Sequence, residues 1–219
     1  MNTKTVYLVH GDKGGAGKSV FAIALIEHLA SSQNVVSIID GDSRNPDVIR
    51  AYKNEDSHEV NLRSEEAWLK LLKLIPTPHE NIVVSLPAGA GDIIEEKLAV
   101  IQKTLQKLSI ETKVFFVMNR ELDSLILLSR MIKNLPDIIP VKNQFFGMDF
   151  HVLDESQTGG KSKENTIMLP RLNPFVMNEF KLFQSSPSEF VNSPEQSIAS
   201  KVEIEEWLLQ CSEEFRKVA

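Results

Sequence analysis

Apolar and polar positions along this chain follow two rhythms that take turns. Short unbroken apolar runs cover residues 5–9, 35–40, 82–86 and 114–118, and weaker ones cover 138–142 and 166–169. Continuous apolar runs of this length predict strands buried on both faces of a sheet. Between them the spacing changes to three and four residues. Leu98, Ile101, Leu105 and Leu108 mark a helix over 92–108. Further helices are expected over 20–30, 64–74, 123–135 and 198–218. In the second of these Ser64 suits the N-cap, Ala67, Leu71 and Leu74 form the apolar face, and Pro76 ends it. Strand and helix in alternation predict an α/β fold: a doubly wound, mostly parallel sheet with helices on both faces. Polar stretches at 55–63, 155–165 and 184–194 read as exposed loops.

Composition narrows the class without naming a chemistry. The 219 residues are 42% hydrophobic and 25% charged, which is enough to bury a core. One domain over 1–219 is expected. A net charge of −6 gives no bulk attraction to nucleic acid or anionic lipid. The single cysteine, Cys211, leaves no internal disulfide. Residues 6–9 are too short for a signal-peptide core, and no apolar run nears the roughly 18 residues of a membrane span. A cytoplasmic protein is expected. His10, His28, His58, His79 and His151 show no metal-ligand spacing.

The stretch Lys13-Gly14-Gly15-Ala16-Gly17-Lys18-Ser19 lies between the first strand and the first helix. Glycines there let successive backbone N–H groups turn inward on an anion, and the helix N-terminus adds partial positive charge. Lys18 would meet the β- and γ-phosphates of a nucleotide, and Ser19 would offer its hydroxyl to Mg²⁺. The usual phosphate loop has glycine where this chain has Asp12, with Gly11 one residue early. The order Lys-Gly-Gly-x-Gly-Lys-Ser instead resembles the deviant phosphate loop of the MinD/ParA family of ATPases. The resemblance implies that Lys13 reaches across a dimer to the partner's nucleotide, with ATP and Mg²⁺ as ligands.

Further residues are placed by the same resemblance, whose motifs are recognisable over about the first 145 residues. Asp40-Gly41-Asp42 ends a strand; Asp42 would position or activate water, and Asp40 would support the metal's outer shell. Carboxylates at a strand end beside a phosphate loop suit both tasks, although Asp42-Ser43-Arg44-Asn45-Pro46 is also good turn chemistry. The run Ser85-Leu86-Pro87-Ala88-Gly89 matches the family's Asp-x-Pro-Ala-Gly in all but its acid. Ser85 brings no negative charge to that position, which predicts weakened Mg²⁺ binding or hydrolysis. The flexible loop after it suits a γ-phosphate switch. Asn119 either contacts adenine or caps the following turn. Pro170 falls near the family's base pocket.

Two surfaces bear on partners. The 198–218 helix carries Ile204, Trp207, Leu208, Cys211, Phe215 and Val218 on one face. Its charges are mostly acidic, Glu203, Glu205, Glu206, Glu213 and Glu214, so a core helix is favoured over a membrane anchor. Lys161, Lys163, Arg171 and Lys181 read as a solvated surface rather than a patch for non-specific DNA binding. The resemblance therefore predicts an ATP-dependent homodimer with slow hydrolysis, acting with a protein partner to position a plasmid, a conjugation or mobilisation complex, or another large assembly. A non-hydrolysing nucleotide-gated scaffold and a small-molecule ligase or kinase are the alternatives.

Overall fold

A computed structural model describes residues 4–11, 14–31, 35–53, 55–64, 66–75, 80–88, 91–135, 137–154 and 164–218. Their strands form one seven-stranded sheet in the order β3-β2-β4-β1-β5-β6-β7. The strands are β1 (Thr5–Gly11), β2 (Val36–Asp40), β3 (Ser57–Glu59), β4 (Asn81–Ser85), β5 (Glu111–Met118), β6 (Ile139–Asn143) and β7 (Ile167–Leu169). Every pairing is parallel. Parallel neighbours need crossovers, and helices supply them: α1 (Lys18–Ala30), α2 (Asp47–Ala51), α3 (Ala67–Leu74), α4 (Gly91–Lys107), α5 (Leu122–Asn134) and α6 (His151–Asp154). The C-terminal part adds α7 (Pro174–Phe183), α8 (Pro187–Asn192) and α9 (Ile198–Arg216).

Successive side chains on a strand point to opposite faces, and the core divides accordingly. Val9, Ile38, Val83, Phe115 and Val141 join one apolar layer with α1, α2, α7, α8 and α9. Leu8, Ile39, Val84 and Phe116 join the other, with Trp68 of α3, Leu98 of α4, Leu125 of α5 and Leu153 of α6. Phe21 of α1 ties the first layer together, its ring centroid 5.0 Å from Phe115 and 5.3 Å from Phe215 of α9. The last helix is thus a core helix, as its composition predicts. Among the described residues, no helix is long and apolar enough to cross a membrane.

Three expectations need correction. The polar stretch 55–63 contains β3, an edge strand whose register with β2 runs Ile38↔Ser57 to Asp40↔Glu59. A short strand at a sheet edge needs little apolar content, so no alternation gives it away. Helix α3 starts at Ala67, not at Ser64, whose hydroxyl donates to the Asn61 carbonyl at 3.3 Å instead of capping. The stretch 184–194 is not all loop: α8 forms there behind a capping box of Ser186 and Glu189, with Pro187 in the first turn. The loop expected at 155–165 lies outside the described residues except for its last two positions.

Candidate phosphate-binding site

β1 lies inside the sheet, hydrogen-bonded to β4 on one side and β5 on the other. Its C-terminal end runs into the glycine-rich turn and then α1, so the turn stands over the carboxyl edge of the sheet. Ligands of open parallel sheets bind at this edge. Gly15 and Gly17 have φ of 83° and 99°, a region that other residues avoid. At Gly17 a Cβ would also collide with the Asn143 side-chain amide. Gly17 is the N-cap of α1 and offers no side chain, whereas Asn173, Ser186 and Ser197 cap α7, α8 and α9. The first-turn N–H groups of α1 and their partial positive charge therefore face outward, as an anion site requires.

Lys18 is buried in the first turn of α1. Its stem passes over Gly11, where a Cβ would come within 3.0 Å of Lys18 Cγ and 2.5 Å of the Val117 carbonyl oxygen. Gly11 thus serves close approach, not a displaced version of the missing loop glycine. Ala16 is buried, Gly14 and Gly15 are exposed, and Ser19 is half-buried at the helix start. Lys13 and Asp12 lie outside the described residues, so the cross-dimer role rests on sequence alone.

Asn143, which the sequence gives no role, closes this turn from β6. Its Nδ2 donates to the Ala16 carbonyl at 2.8 Å and its Oδ1 accepts from Phe145 N–H at 3.0 Å. One buried amide thus ties the end of β6 to the phosphate loop. Beneath the loop sits His10, buried on the opposite face of β1 from α1. Its ring meets Phe116 edge-on at 5.7 Å. Burial, with the Lys18 charge nearby, lowers its pKa to about 3, so the ring is neutral.

The acidic candidates divide. Asp40 is buried, and its Oδ1 accepts from Asp42 N–H at 3.1 Å. Its Oδ2 accepts from Val48 N–H at 3.1 Å and Ile49 N–H at 3.4 Å. The carboxylate caps α2, and burial pushes its pKa up to about 6 even though these N–H groups pull it down. Ser85 is buried next to it, in register with Asp40 on one side and Val9 on the other. By strand alternation Asp40 and Ser85 share the α1 side of the sheet with Ile38, Val83 and Val9. Asp42 lies just beyond the strand end; its Oδ1 accepts from Arg44 N–H at 3.3 Å and its Oδ2 is 3.8 Å from Arg63 Nη2.

The described residues contain no cluster of three His, Cys, Asp or Glu able to hold a metal. With Asp40 committed to backbone and a serine at 85, this donor set suits Mg²⁺ only as an ion that arrives with nucleotide. Ser19 and phosphate oxygens would then be its ligands, with water completing the shell.

Asn119 and Pro170 line different depressions. Asn119 Oδ1 accepts from Glu121 N–H and Ser124 Oγ, both at 2.9 Å, so its acceptor fastens the turn that leads into α5. It lines a depression of about 380 Å³ with Arg120, Phe146 and His151. Pro170 instead lines a cleft of about 60 Å³ with Gly15, Gly17, Asn143 and Phe145, beside the phosphate loop. Its carbonyl accepts from Trp207 Nε1 at 2.9 Å. A third cleft, of about 210 Å³, is lined by Ser19, Asp47, Arg50, Lys181 and Gln184. Asp47 and Arg50 there pair with each other at 3.0 Å. Of the basic patch, Arg171 and Lys181 are exposed, while Lys161 and Lys163 lie outside the described residues.

No family profile matches the chain. The protein MobD of Acidithiobacillus ferrooxidans is 32% identical over 148 residues, 66% of this chain and 65% of that relative. The chain thus spans a little under two thirds of MobD's length. Among solved structures, a protein assigned to plasmid partition in Borrelia burgdorferi, bound to AMPPNP, superposes with a TM-score of 0.64 at 16% identity, covering 99% of this chain and 100% of that one. The cell-division ATPase MinD of Pyrococcus furiosus gives 0.56 at 16% identity, covering 100% of each. With its strand order and glycine-shaped turn ahead of the Lys18-Ser19 pair, the chain has the α/β fold of these partition and MinD structures.

Proposed function

We propose that the chain is a single-domain cytoplasmic ATP-binding switch. It binds ATP with Mg²⁺, dimerises around it with Lys13 completing the partner's site, and hydrolyses it slowly. The uncapped, glycine-shaped start of α1 with Lys18 buried over Gly11 carries this reading. Similarity to MobD and to partition and division ATPases supports a macromolecular cargo, such as a plasmid or a mobilisation complex, engaged through a protein partner. Non-specific DNA binding is secondary to it, because Lys181 and Arg171 share the surface with Glu179. Light scattering with ADP, ATP and AMPPNP tests the switch. Triphosphate is expected to double the mass, and Lys13→Ala to abolish the doubling. Stoichiometric ATP binding at unchanged mass, indifferent to Lys13→Ala, would overturn it.

Asp40 and Ser85 favour a second reading, a nucleotide-gated scaffold with little turnover. One side chain is a serine, and the other's carboxylate is bound by three backbone N–H groups. Asp42 is then the remaining carboxylate among these candidates. Appreciable ATPase activity lost in Asp42→Ala would exclude the scaffold. The cleft at Ser19 falls short of supporting a ligase or kinase, since its acid, Asp47, is already paired with Arg50.

A further inference from the structure

Arg63 occupies a position that the nucleotide reading leaves unexplained. It follows β3, the edge strand, yet its guanidinium reaches across β2 to the connection after β4. Nη2 donates to the Ala88 carbonyl at 2.6 Å and lies 3.8 Å from Asp42 Oδ2. Nε is buried with no hydrogen-bond partner among the described residues. The turn that carries it is fixed. Asn61 Oδ1 accepts from Arg63 N–H at 3.3 Å, and Leu62 N–H donates to the Gly41 carbonyl at 3.2 Å. Leu62 is fully buried against Gly41, where a Cβ would meet its Cδ1 at 2.6 Å. The arginine is therefore held at this place by packing, not by chance extension of a surface side chain.

The place is informative. The connection after β2 carries Asp42, and the one after β4 carries Ala88. β4 pairs directly with β1, about 4.8 Å away, and Leu86 N–H donates to the Val9 carbonyl at 2.9 Å. The guanidinium thus stands one strand from the phosphate loop and holds both neighbouring connections at once. A guanidinium has five N–H donors arranged to take two oxygens side by side, and phosphate fits that fork better than a lone carbonyl does. Here its carboxylate contact is long and Nε has no acceptor among the described residues, so donors remain for a further oxygen.

We propose that Arg63 is a terminal-phosphate sensor: it holds the connections after β2 and β4 together when the loop carries no triphosphate, and turns to the γ-phosphate when one binds. The exchange releases Asp42 from the guanidinium and frees the Ala88 carbonyl, so both connections respond to the same ligand. This rests on the loop being a nucleotide site. ADP lacks the group that Arg63 reads, which makes the di- and triphosphate complexes differ at this residue.

The test compares Mg²⁺-AMPPNP and Mg²⁺-ADP by calorimetry on the unmodified chain, Arg63→Gln and Arg63→Lys. Arg63→Gln is expected to weaken AMPPNP about tenfold and change ADP less than twofold. Arg63→Lys, with charge but no fork, is expected to fall between. Equal weakening of both nucleotides, or no change in either, would overturn the sensor and leave the nucleotide site standing. If the unmodified chain binds neither nucleotide, the site itself fails and the sensor with it. Thermal melts of the three proteins accompany the titrations; a variant that melts like the unmodified chain yet keeps its triphosphate preference also overturns the proposal.

Discussion

His10 carries two ring nitrogens into an apolar layer, and neither has a hydrogen-bond partner among the described residues. Such orphaned groups cost about 1–3 kcal/mol each, so His10→Leu is expected to be neutral or stabilising at pH 7. The pH dependence is sharper. The unfolded chain takes up a proton near pH 6.5, whereas the folded chain refuses it until about pH 3. Stability therefore falls as pH drops through that window, by roughly 1.4 kcal/mol per pH unit. Urea unfolding at pH 7 and pH 5 should show His10→Leu gaining on the unmodified chain at the lower pH. An unchanged difference would mean that His10 is paired. At this scale the sequence was legible where chemistry is local. Gly15, Gly17, Lys18 and Ser19 could be read because one turn contains them all. Asn143 and Arg63 could not, since their partners lie far along the chain and no spacing announces the contact. Asp40 was legible as an acid beside the loop, but not as the cap of α2, because that helix is too short to leave a period.

Elements were legible in proportion to how deeply they are buried. The central strands β1, β4 and β5 are apolar on both faces and declared themselves, and so did the amphipathic helices α4 and α5. β3 did not, because an edge strand may be polar. α8 was legible after all: Ser186-Pro187-Ser188-Glu189 is a capping box with proline in the first turn, and only the surrounding serines and prolines made it look like loop. Ser186→Ala removes the acceptor for Glu189 N–H at 3.2 Å. The cost is expected to be about 1 kcal/mol, read as a fall in melting temperature of about 2–4 °C for a chain of this size. No change would mean that packing of Phe190 holds α8 without its cap.

For the molecule as a whole, α9 is the largest test of the layered core. Ile204, Trp207, Cys211 and Phe215 are all buried against the α1 side of the sheet. Each apolar side chain of this kind contributes about 1.5–3 kcal/mol, against a total stability of roughly 5–15 kcal/mol. A chain ending at residue 197 is expected to lose cooperative unfolding in a circular-dichroism melt. A sharp transition in that truncation would show that the sheet stands without its last helix. A parallel sheet is assembled out of chain order. β1 leaves the ribosome well before its neighbours β4 and β5, and the amide that closes the phosphate loop on Ala16 belongs to a residue 127 positions downstream. At about 5–20 residues per second, synthesis takes about 6–25 s to cover that gap. A nascent chain therefore displays the glycine-rich turn long before the residue that closes it exists, and this turn is among the last parts of the sheet edge to be assembled.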